Sequence, residues 1–97
     1  EGMVRAAGAC LERDLRSLEN LECVKEVRGR GMMMGVEVDS SERALGAVKG
    51  LLRDGVLALP DGPTGNVVAM TPPFAISAEE IAFAVGKLSA RLQMERG

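Results

Sequence analysis

The stretch Arg30–Asp39, RGMMMGVEVD, sets the architecture. Met32, Met34, Val36 and Val38 alternate with Met33, Gly35 and Glu37. A period of two places alternate side chains on opposite faces, so the stretch predicts a strand with one wholly apolar face. The strand reading takes in everything from Cys23 to Val38. Gly35 carries no side chain, which marks a close approach to the backbone or a bulge. An apolar sheet face requires a cover, and the sequence on either side supplies helices for it.

Upstream, Val4, Ala7, Leu11, Leu15 and Leu18 recur at helical spacing, with Arg5, Glu12, Arg13 and Arg16 off the stripe. This predicts an amphipathic helix over residues 3–18 that ends near Asn20. Downstream, Asp39-Ser40-Ser41-Glu42 offers N-cap residues, with Asp39 and Glu42 at capping-box spacing. Ala44, Leu45, Val48, Leu51 and Leu52 form a second stripe, closed by Gly55 at the C′ position. Val56–Leu59 reads as a short strand, PDGPTGN (60–66) as a turn-rich loop, and Val67–Met70 as a strand that pairs back in an antiparallel hairpin. Pro72-Pro73 end that pairing as a stiff corner, because proline donates no amide hydrogen and biases its predecessor towards extended backbone. Ser77 and Glu80 then form a capping box, Ile76 and Ile81 a hydrophobic staple, and Ile81, Val85, Leu88 and Leu92 the last buried stripe. The order is helix, strand, helix, strand, strand, helix. The fold class is α+β, a small three-stranded and mainly antiparallel sheet covered by helices.

Ninety-seven residues make one domain, 1–97, with a modest core. The 46% hydrophobic fraction supports a folded globule, and the net charge of −2 comes from interspersed acids and bases. No basic face stands out, so nucleic acid is not expected as a partner. No apolar run approaches the about 18 residues that span a bilayer, so no membrane partner is expected either. The opening EGMVRAAG reads neither as a signal peptide nor as a natural start, and a piece of a longer chain is expected. Cys10 and Cys23 are read as reduced thiols of a cytoplasmic protein.

Chemistry is sparse. With no histidine, a His triad, a His metal site and His acid–base catalysis are excluded within these residues. With no Trp, no Tyr and two Phe, base-stacking platforms are missing. Gly29-Arg30-Gly31 with Gly35 spells G-x-G-x-x-x-G and precedes its strand, whereas a phosphate cradle sits at a strand-to-helix turn. Glu79-Glu80 suits a helix start, where the dipole favours carboxylates. Arg28 and Arg30 are read as surface ion-pairing residues in preference to an anion site. No catalytic residue and no metal site are assigned.

The segments VKEVRGRGMMMGVEVD, LLRDGVLALP and GNVVAMTPPFAISAEEI together resemble the C-terminal part of class III aminotransferases, pyridoxal-phosphate enzymes of fold type I. The matching positions are Val27, Arg28, Gly29, Gly31, Met33, Gly35, Glu37, Gly55, Asn66, Val67, Pro72, Pro73, Ile76, Glu79, Glu80 and Ile81. The resemblance implies the C-terminal small domain of a homodimeric aminotransferase, of the acetylornithine, ornithine or 4-aminobutyrate type, acting on an amino acid or ω-amino acid. Its partner within the parent chain is the large domain, which carries pyridoxal 5′-phosphate and the Schiff-base lysine. Lys25, Lys49 and Lys87 do not match that lysine, so no cofactor is expected on these residues and the piece alone is expected to be inert.

Ala69 stands where many members of the family carry an arginine, at the end of a strand facing the site. A methyl group offers no bidentate fork to a carboxylate. Either arginines outside this chain grip the substrate, or the substrate's recognised end is less anionic. Ala69, Pro72, Pro73 and Phe74 are the substrate-pocket candidates, as elements of an active-site wall that closes over the substrate. The residues alone leave open a stand-alone α+β module that binds a small ligand or partner.

Overall fold

Met33–Val38 folds not as the end of one long strand but as the return arm of a hairpin. The computed structural model describes residues 2–30, 33–70 and 77–94. Its elements are α1 (Gly2–Arg16, continued by a 3-10 turn over Ser17–Asn20), β1 (Val24–Arg30), β2 (Met33–Val38), α2 (Ser41–Arg53), β3 (Leu59–Asp61), β4 (Val67–Met70) and α3 (Ala78–Met94). The sheet has four antiparallel strands in the order β1-β2-β4-β3. The three-stranded sheet and the six-element order read from the sequence are therefore corrected. The reading of 23–38 as one strand missed that β1 pairs with β2, Val27 opposite Val36 and Arg30 opposite Met33. Periodicity cannot register such a reversal, because both arms of a hairpin alternate.

A bulge between Val24 and Glu26 also shifts the alternation in β1, so that Val24 and Val27 are both buried. The inner face is completed by Met34, Val36, Val38, Val68 and Met70. Helix α1 packs on β1 and β2, α2 packs on the other end of the sheet, and α3 packs against both helices. Leu11, Leu15, Leu18, Ile81, Val85, Leu88 and Leu92 are buried as the sequence stripes predict.

Two local readings need correction. The cap of α2 is Ser40, whose Oγ accepts from the Arg43 amide at 3.1 Å; Asp39 instead accepts from the Arg43 guanidinium at 2.8 Å. Buried Val38 and the Asp39 amide, bonded to the Cys23 carbonyl at 2.9 Å, hold that junction to the sheet and set where the helix can start. The second stripe is also turned. Ala44, Ala47 and Leu51 are buried and Val48 is half-buried, while Leu45 and Leu52 are exposed. Small residues on the buried side let α3 come close: Arg91 lies over Gly50 and its guanidinium bonds both oxygens of Asp54, at 2.9 and 3.0 Å.

The last hairpin is displaced by three residues. Val56–Ala58 lie outside any strand, and β3 begins at Leu59. Its three residues are all exposed, and Pro60 is tolerated there because β3 is an edge. Gly55 has φ +85°, the left-handed conformation expected after a helix. The capping box of α3 is present, with Glu80 accepting from the Ser77 amide at 2.9 Å and Ser77 Oγ accepting from the Glu80 amide at 3.1 Å. Both cysteines carry free thiols, Cys23 buried and Cys10 half-buried.

Candidate functional site

The helices cover one face of the sheet; the other presents Glu26, Arg28, Gly35, Glu37, Val67 and Ala69. Cross-strand pairing places Arg28 opposite Gly35 and Gly35 opposite Ala69, one row across three strands. Gly35 contributes no side chain and Ala69 only a methyl, so the middle of the row is bare. A shallow recess of about 340 Å³ forms over it, walled by Arg28 and Gly29 on one side and by Asp61, Gly62, Pro63 and Val67 on the other. Val67 reaches in from the neighbouring row, its Cγ1 3.0 Å from where a Gly35 Cβ would stand. This is the close approach that the glycine signalled.

Polar bonding on this face runs along one chain. Arg28 pairs with Glu37 through Nη2 and Oε1. Asn66 Nδ2 donates to the Val38 carbonyl at 3.1 Å and lies 3.5 Å from the other Glu37 oxygen. Thr64 donates to Asn66 Oδ1 at 2.9 Å. Glu26 sits directly opposite Glu37, and the Arg28 guanidinium offsets that like-charge pairing.

Of the four pocket residues expected from the sequence, the structure places Ala69, half-buried on the recess floor. Pro72, Pro73 and Phe74, together with the staple residue Ile76, lie outside the described residues. The Asp61–Pro63 wall was read from sequence only as a turn; nothing in its composition indicates which strand it faces. Arg28 was assigned to surface pairing, and it does pair, but at the rim of the recess.

Among the described residues the recess offers a floor of small side chains, one cation and one carboxylate on the opposite wall, and neither a nucleophile nor an acid–base pair. Among the described residues no three His, Cys, Asp or Glu side chains gather as a metal site. Lys25 and Lys49 are exposed, Lys87 stands 5.4 Å above the Phe83 ring, and none of the three lines the recess. The described residues thus supply pyridoxal phosphate with neither an amine nor a phosphate cradle, and the cofactor does not fit a site made from them alone. No helix among them is long and apolar enough to cross a membrane.

Among the described residues two carboxylates have shifted acidity, both at structural joints. Asp54 is held below the usual carboxylate range, chiefly by its hydrogen bonds from Arg91. Glu80 is lowered mainly by the Ser77 amide it caps.

The sequence pattern described as Aminotransferase class-III matches residues 2–92. The acetylornithine aminotransferase of Bacillus subtilis is 40% identical over 81 residues, 84% of this chain and 20% of that protein. The diaminobutyrate–2-oxoglutarate transaminase of Streptomyces avermitilis is 36% identical over 83 residues, again 84% of this chain and 20% of that protein. The crystal structure of the adenosylmethionine-8-amino-7-oxononanoate aminotransferase of Methanocaldococcus jannaschii superposes with a TM-score of 0.79 at 27% identity, covering 93% of this chain and 22% of that one. The chain thus spans about a fifth of the length of the curated relatives it matches. With its sequence matched almost from end to end and its fold shared with a solved aminotransferase, this chain belongs to the class-III aminotransferase family.

Proposed function

We propose that the chain is the C-terminal small domain of a pyridoxal-phosphate-dependent class III aminotransferase, transferring the amino group of an amino acid or ω-amino acid. Its outer sheet face, with Ala69 on the recess floor, forms part of the active-site wall, to which Pro72, Pro73 and Phe74 also contribute. The cofactor and its lysine belong to a large domain of the same parent chain, and the parent is a cytoplasmic homodimer. The observation that carries this reading is the family match over residues 2–92, on a domain whose recess has a substrate-sized space but no reactive group among the described residues.

The role of these residues is then to shape and close. A wall with methyl-sized side chains leaves room for substrate, and closure of a small domain over it excludes water and fixes orientation. The test is to express the complete reading frame that encodes these residues and supply N-acetylornithine or diaminobutyrate as amino donor with 2-oxoglutarate as acceptor. These donors follow the names of the relatives. Glutamate formation that requires added or bound pyridoxal phosphate, and that the 97-residue chain alone does not support, is the expected result. A reading frame that encodes no lysine-bearing upstream domain, or that transfers no amino group from a panel of amino donors, overturns the proposal. Light scattering on the same protein checks the dimer.

A further inference from the structure

The geometry points to Arg28 as the residue that binds a substrate carboxylate in this recess, with Glu37 and Asn66 as its positioning residues; the substrate class is taken from the aminotransferase reading above. Three observations carry it. Arg28 shares a row with Gly35 and Ala69, which themselves add at most a methyl, with Val67 Cγ1 leaning over Gly35 from the next row. Two strand spacings, about 10 Å, lie between the β1 and β4 backbones, a gap that a long side chain from one edge and a small carboxylate together fill. Second, the guanidinium is steered but not used up. Its side chain is 53% exposed, and among the described residues its one hydrogen bond is from Nη2 to Glu37. Arginine carries five N–H donors in a planar fork, so donors remain for a second carboxylate. Third, Glu37 is itself anchored through its other oxygen by Asn66, whose amide is bonded to the β2 backbone. The guanidinium is thereby tied to two strands of the sheet, which lowers the entropy lost when a ligand binds.

The charges on the walls set the polarity. Asp61 lies on the opposite edge strand, three spacings or about 14 Å from the β1 backbone. Asp61 thus stands on the wall opposite Arg28. It also favours an ammonium at its own end. Because Glu37 already balances the charge of Arg28, a carboxylate at the β1 end is held by the guanidinium's remaining N–H donors, with Asp61 at the other end.

The test uses the full-length protein that carries this chain, with glutarate as probe and glutaramide, its uncharged counterpart, as control. Calorimetry is expected to show glutarate binding and no glutaramide binding. Arg28→Gln is expected to weaken glutarate at least about tenfold, the loss typical of a charge-assisted hydrogen bond. Arg28→Lys, which keeps the charge without the fork, falls between the two. Glu37→Gln, which removes the steering partner but also a competing negative charge, changes binding less than Arg28→Gln does. In turnover, Arg28→Gln is expected to raise KM for a carboxylate-bearing amino donor with kcat little changed. Wild-type protein that binds no glutarate, or glutarate affinity equal in wild type, Arg28→Gln and Arg28→Lys, overturns the assignment. Failure of the aminotransferase reading shows separately, as loss of amino transfer in the wild-type protein while glutarate binding still tracks residue 28.

Discussion

Replacing Gly35 by alanine sets two known effects against each other, and the structure decides the sign. In the middle of a strand glycine is destabilising by about 0.5–1 kcal/mol relative to alanine, so an uncrowded replacement would stabilise β2. Here the new methyl would stand 3.0 Å from Val67 Cγ1, well inside the 3.5–4.0 Å of a relaxed carbon contact. Val67 cannot easily yield. It is buried and β-branched, which restricts its rotamers, and its other methyl, Cγ2, is turned towards Gly62. Over-packing of this kind costs about 1–3 kcal/mol, so the net effect of Gly35→Ala is a loss of about 1 kcal/mol. Val67→Ala alone removes two buried methyl groups and costs about 1.5 kcal/mol. In the Val67→Ala background the obstruction is gone, and Gly35→Ala becomes stabilising by about 0.5 kcal/mol. The two substitutions are thus coupled by about 1.5 kcal/mol, a size typical of residues in contact. Urea unfolding of the four proteins, followed by far-ultraviolet circular dichroism, measures it. Additivity within about 0.5 kcal/mol, or a stabilising Gly35→Ala in the wild-type background, would refute the claim that Val67 occupies the space over Gly35.

Three other outcomes can be checked on the same footing. Ser77→Ala should lower stability by about 1 kcal/mol through the lost cap, read from the urea midpoint; no change would place the start of α3 elsewhere. Asp54 and Glu80 both have folded-state pKa values held below the ordinary carboxylate values, so each contributes stability that is present above the ordinary carboxylate range and lost as pH falls through the folded values. The urea midpoint should therefore drop on acidification below about pH 5, and Asp54→Asn should flatten that drop; an unchanged slope would show that the Arg91 bond is not formed in solution. In the full-length protein, Ala69→Arg adds a guanidinium to the recess floor and should shift preference towards substrates with an additional carboxylate. Unchanged kinetics across such substrates would mean that residue 69 does not face the site.

Local patterns were legible because their causes are local. The stripe Leu11, Leu15 and Leu18, the Ser77–Glu80 cap, the Gly55 turn and the apolar alternation of Met34, Val36 and Val38 each depend on residues a few positions apart. The motif order around Gly35 and Asn66–Val67 was enough to indicate the family. What the chain's linear order could not contain was which strand lies beside which. The β1–β2 reversal, the bulge that buries both Val24 and Val27, and the rotation of α2 that exposes Leu45 and Leu52 all depend on distant partners. The same holds for the recess. Arg28, Gly35 and Ala69 are 41 positions apart from first to last, yet antiparallel register sets them in one row. Side-chain periodicity is a property of one segment, whereas register is set by the hydrogen bonds and packing between segments, and only the tertiary structure fixes those.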